Sequence, residues 1–183
     1  MTAVDSVLMP GAGSLDTRSS RVQTRMAEMA ARQLYQRMCR RGFVAQVWVT
    51  LRKHLTGQAL KHRPYQPLLD LREVMAGAKV IDRHAGGVQS VAIEQIRGSE
   101  DRLDGLFDRE FRPARDYDRT RWIQVATARL QGVCLPAVEL IQVGATYFVL
   151  DGHHRISVAR ALGEEFIEAN VTVWHVAVER QLQ

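Results

Sequence analysis

Tyr147-Phe-Val-Leu-Asp-Gly-His-His-Arg-Ile-Ser-Val-Ala-Arg-Ala-Leu-Gly163 changes its periodicity half-way along, and that change decides the fold. Tyr147, Phe148 and Val149 are aromatic or β-branched, which predicts a strand over 147–150. Residues 138–143 have the same character, with Gly144-Ala145 between, so the two segments are expected to form a hairpin. After Gly152, Ile156, Ala159 and Leu162 recur at helical spacing with Val158 beside them, and Gly163 stands where a left-handed C-terminal residue is expected. The reading is strand, tight turn, helix. A turn that feeds a helix N-terminus aims several N–H groups at one spot, where the helix dipole adds partial positive charge and phosphate is favoured.

The side chains of the turn suit that use. Arg155 can fork two donors onto phosphate oxygens, each charge-assisted bond contributing roughly 1.5–3 kcal/mol. His153 and His154 add donors whose charge depends on pH, Gly152 lets a backbone approach closely, and Asp151 can hold a metal ion or a substrate hydroxyl. The same residues also suit a purely structural turn, with Asp151 capping the helix, Arg155 paired to a carboxylate and the histidines solvated.

Leu135-Pro136, a strand, Tyr147-Phe-Val-Leu-Asp-Gly-His-His-Arg155, an Ala-containing helix and Leu162-Gly163 together resemble the ParB/sulfiredoxin superfamily. Val91-Ala-Ile-Glu-Gln-Ile96, followed by Gly98-Ser-Glu-Asp-Arg102, is similar to that family's first strand and the turn after it. The resemblance covers roughly the C-terminal hundred residues and implies an α+β fold, a small mixed sheet packed with helices. Family members include a partition protein that binds CTP and clamps DNA, sulfiredoxin, and an ADP-dependent free serine kinase. His153 stands where sulfiredoxin carries its nucleophilic cysteine and where the partition protein carries an acidic residue. Asp151, Gly152, His153, His154 and Arg155 match the Asp-Gly-His-Thr/His-Arg turn of the serine kinase relatives, and Glu100 lies where that kinase uses a glutamate. The resemblance thus implies a nucleotide (ATP, ADP or CTP) held by Gly152, His153, His154 and Arg155, Mg²⁺ on Asp151, and Glu100 as a candidate general base.

The 183 residues suffice for one domain with a core plus an appended module. No apolar run approaches the roughly 20 residues of a membrane helix, and residues 1–20 lack the pattern of a secretory signal. Cys39 and Cys134 are too few for a disulfide framework or zinc site, so a reducing cytoplasm is expected. Charge is uneven: residues 1–85 hold 14 basic and 6 acidic side chains, residues 86–183 hold 11 and 14. Residues 18–63 contain eleven Lys or Arg and Glu28 alone as an acid, which suits DNA, an acidic protein partner, or a solvated face balancing an acidic neighbour.

In chain order, residues 1–20 read as a flexible tail, 21–85 as a basic helical module and 86–183 as the ParB/sulfiredoxin-like domain. Val22, Met26, Ala30, Leu34 and Met38 recur every four residues, predicting a helix that ends near Gly42. Residues 43–55 suit a second helix or a strand, and Pro67 starts a third helix running to Gly77. Short helices are marginal alone, so these should pack on the second half or on another subunit, as in a homodimer. His84-Ala-Gly-Gly87 reads as a hinge. Phe107 and Phe111 suggest a short helix within 101–115, whose carboxylates Asp101, Asp104, Asp108 and Glu110 suit a metal ion or, more simply, a solvated surface. Asp116 and Asp118 are N-cap candidates for a helix through Trp122, Val125, Ala126 and Leu130. Strands are expected near 88–93, 138–143, 146–150 and 166–174.

Overall fold

The computed structural model describes residues 14–56, 67–100, 106–113 and 118–178, the side chains of 14–18, 41–56 and 178 excepted. It is an α+β structure built on a six-stranded mixed sheet in the order β1-β3-β5-β4-β6-β2. The strands are β1 (Leu69–Asp70), β2 (Ala78–Ala92), β3 (Ile96–Ser99), β4 (Val138–Val143), β5 (Thr146–Asp151) and β6 (Phe166–Val178). The helices are α1 (Ser14–Thr56), α2 (Leu71–Val74), α3 (Arg119–Leu130) and α4 (His153–Leu162). The predicted hairpin is present as β4 and β5, turning at Gly144 with φ 59°. β1, β3 and β5 are mutually parallel neighbours, so their carboxyl ends share one edge of the sheet.

Apolar alternation sends Val138 and Leu140 of β4, Val149 of β5, and Ala169 and Val171 of β6 to one face, where Ile156 and Ala159 of α4 cover them. The outer side of α4 presents Val158 to Trp122 and Ala126 of α3, and these meet Ala31 and Tyr35 of α1. The Tyr35 and Trp122 rings pack edge to face at 5.3 Å. The first helix therefore packs on the second half of the chain through Ala31 and Tyr35. On the opposite face, Ile141 and Phe148 pack with Leu71 of α2 and, more loosely, with Trp174.

Several local expectations are corrected. α1 is one helix that begins inside the predicted tail and continues through Gly42, because a single glycine costs a helix only about 1 kcal/mol. Residues 1–13 and 57–66 lie outside the described residues. The third helix shrinks to the four residues of α2, capped by Asp70, whose carboxylate accepts the Arg72 N–H at 2.8 Å. The expected hinge His84-Ala-Gly-Gly87 lies inside β2, which pairs with β6 along its whole length and absorbs irregularities between Val80 and Asp82 and between Ala85 and Gly87. The described part of the Phe107–Phe111 helix, 106–113, is instead a tight loop. The Asp108 carboxylate accepts the N–H groups of Glu110 and Arg112 at 2.9 and 2.8 Å, which offers the backbone a better partner than a helix would. Phe107 and Phe111 nevertheless end buried and adjacent, 6.4 Å apart.

Candidate functional site

Asp151 ends β5, Gly152 makes the turn and His153 opens α4. Gly152 has φ 109°, and a Cβ built there would stand 2.6 Å from Val138 Cγ1, so both conformation and space demand glycine. The first intrahelical bond runs from the Ile156 N–H to the Gly152 carbonyl at 3.0 Å. The amides of the first helical turn precede it, as at any helix N-terminus. Gly163, at φ 79°, closes the other end in the expected left-handed conformation.

The side chains of the turn point into the protein more than was expected. Arg155 donates from Nη1 to the carbonyls of Pro136 and Ala137 at 2.6 and 2.7 Å, and from Nη2 to the Asp151 carboxylate. Its side chain is only 15 % exposed, while Asp151 remains 64 % exposed. The expected fork onto phosphate is thus corrected: the segment just before β4 supplies two carbonyls where a phosphate was expected to sit, and Arg155 ties the turn to it. Asp151 does not cap the helix; it is held at its entrance, facing solvent.

His153 Nε2 lies 2.9 Å from Ser99 Oγ, and its ring stacks on Phe107 at 6.1 Å. Ser99 is buried at the carboxyl end of β3 and also donates to the Val149 carbonyl at 3.3 Å. It went unremarked in the sequence because a lone serine at a strand end carries no signal. Its neighbour Glu100 is the residue the resemblance indicates, and the Glu100 N–H bonds the Val149 carbonyl at 3.0 Å. Strand pairing therefore brings Glu100 to the same edge as the turn, fifty residues later in the chain. Asp101 and Asp104 lie outside the described residues, as do 114–117.

His154 faces Asp118, with Nε2 and Oδ2 3.6 Å apart, so this carboxylate, predicted as an N-cap, makes no capping bond. The ring sits edge-on to Phe107 at 5.3 Å, and its Nδ1 is buried without a partner. Burial pushes the imidazole below its ordinary value of 6.5, against the pull of Asp118 and with the help of Arg121. The unfolded chain binds this proton near 6.5 and the folded chain only at lower pH. The associated stability is therefore present above that value and is lost as pH falls through the folded pKa. The urea midpoint is expected to fall between about pH 7 and pH 5, and to fall less in His154→Gln. Equal slopes in the two proteins would assign the effect to other groups.

A cleft of about 360 Å³ beside the site takes in Arg155, Pro136, Leu135 and Cys134, and is closed on one side by the Arg129–Glu164 ion pair at 2.8 Å; neither Asp151 nor His153 lines it. Among the described residues no helix is long and apolar enough to cross a membrane.

No protein-family model matches the chain, and no curated protein does. Among solved structures it is similar to sulfiredoxin from Arabidopsis thaliana, at 20 % identity and a TM-score of 0.35, over 46 % of this chain and 82 % of that one.

Proposed function

We propose that the chain binds a nucleotide by its phosphates at the shared carboxyl edge of β1, β3 and β5, and acts on it as a small-molecule kinase or NTPase does. One observation carries the reading: at the end of β3, Ser99 meets His153 of α4 and the Glu100 N–H bonds Val149, two residues before Asp151 closes β5. Crevices outside the carboxyl ends of parallel strands are where open sheets hold ligands, and a helix N-terminus there favours phosphate. The N-terminal end of α4, at His154 and Arg155, would face the phosphates. Arg155 positions Asp151 rather than the ligand. The donor set suits magnesium, which prefers carboxylate oxygen, so Asp151 would hold Mg²⁺ and Glu100 would take the acceptor proton. Bound Mg²⁺ would neutralise phosphate charge.

The test is a thermal-shift screen of the four nucleoside triphosphates and ADP, with and without Mg²⁺. A binding nucleotide at a hundred times its Kd stabilises by about 2.7 kcal/mol, a readily measured rise. Asp151→Asn is expected to remove the Mg²⁺-dependent part of that rise. No shift with any nucleotide would reject the proposal.

A second reading draws on α1, where Arg21, Arg25, Arg32, Arg37 and Arg40 are all exposed and, among the described residues, Arg32 alone is offset by a carboxylate, Glu28 at 2.6 Å. Such a row fits DNA phosphates, with the turn as a ligand sensor or a structural joint. Adding a short duplex to the same screen at low and high salt separates the two, since phosphate contacts weaken steeply with salt.

A further inference from the structure

The end of the β2–β6 ribbon carries a second cluster of chemistry, remote in the fold from the turn. Antiparallel pairing sets Asp82 opposite His175, Arg83 opposite Trp174 and His84 opposite Val173. Residues two apart share a face of a strand, so Asp82 and His84 project on the same side as His175. The irregularity between Val80 and Asp82 sets this register. His84 Nδ1 lies 3.4 Å from Asp82 Oδ2, and the two imidazoles stack at 5.1 Å. One ligand atom from each of the three residues can be taken so that all lie within 4.8 Å of one another, and all three side chains are exposed. On the reverse face the Arg83 guanidinium lies 4.0 Å above the Trp174 ring, which packs against the Ile141 and Phe148 cluster. The ribbon is thus pinned from behind while its front presents two imidazoles and a carboxylate.

We propose that Asp82, His84 and His175 bind a first-row divalent transition metal of the zinc class. Two nitrogens and one oxygen suit Zn²⁺, Co²⁺, Ni²⁺ or Cu²⁺, whereas Mg²⁺ and Ca²⁺ require oxygen shells. A tetrahedral ion with bonds of about 2.0–2.1 Å holds its ligands about 3.3 Å apart. The donors therefore need to close by up to about 1.5 Å, which rotation of exposed side chains supplies without moving the ladder. Three protein ligands leave a coordination position for water or for a small ligand, as in open zinc sites. None of the three residues belongs to the turn at Asp151, so the site stands independently of the nucleotide proposal.

The experiment is calorimetric titration of the chelator-treated full chain with ZnCl₂, repeated with MgCl₂. One Zn²⁺ per chain and no Mg²⁺ response are expected. His175→Ala and His84→Ala should each weaken Zn²⁺ binding by about tenfold or more, since even outer-shell changes cost that much. CoCl₂ should give a visible ligand-field band that disappears in the double variant. These side chains are exposed, so circular dichroism of the variants is expected to match the parent. Absence of Zn²⁺ binding would overturn the proposal, as would stoichiometric binding that survives both replacements, which would locate the ion elsewhere.

Discussion

Gly152→Ala is expected to destabilise the chain by about 2–6 kcal/mol, read as a fall in the urea midpoint. Holding a non-glycine residue in a sparsely populated backbone region costs about 1–3 kcal/mol, and φ at this position is 109°. The added methyl would stand 2.6 and 2.8 Å from Val138 Cγ1 and Cβ, and Val138 is fully buried in the central strand β4. Overpacking of that kind costs about 1–3 kcal/mol more. The comparison is Gly144→Ala, at φ 59° with nothing within 4 Å of the new methyl, which should show backbone strain alone. Equal losses for the two replacements would mean that the Asp151–His153 turn yields to the methyl and is less rigid than its contacts indicate.

Trp122→Ala is expected to cost about 3–5 kcal/mol and to release α1 from the rest of the structure. Trp122 is the largest fully buried side chain and stands where α1, α3 and α4 meet. Its removal would also leave the Ser157 hydroxyl, which accepts the indole N–H at 2.8 Å, buried and unpaired, adding about 1–3 kcal/mol. Hydrogen exchange should then quicken through residues 24–40 while β4 and β5 stay protected. Should the alanine variant fail to accumulate, Trp122→Phe keeps most of the packing and is expected to lose about 1–3 kcal/mol with the hydrogen bond. Unchanged exchange in α1 with either variant would refute the docking.

The helical spacing of Ile156, Ala159 and Leu162, the β-branched run before Asp151 and the punctuation by Gly152 and Gly163 were all legible, because each is a property of neighbours in the chain. So was the burial of Phe107 beside Phe111. Their conformation was misread, because the Asp108 carboxylate takes up the Glu110 and Arg112 amides that a helix would have used. The length of β2 was missed for the opposite reason: nothing in His84-Ala-Gly-Gly87 announces a strand, and it is the continuous edge of β6, some eighty residues later, that draws it into one.

Local spacing and turn chemistry were enough to establish a strand running into a helix through a glycine, and an α+β class with amides gathered at one point. The destinations of the polar side chains required the folded molecule. Arg155 turns toward the Pro136 and Ala137 carbonyls, His153 toward Ser99, and His154 toward Asp118. A guanidinium or an imidazole bonds whatever acceptor the packed sheet brings within about 3 Å, and those acceptors come from segments far away in the chain.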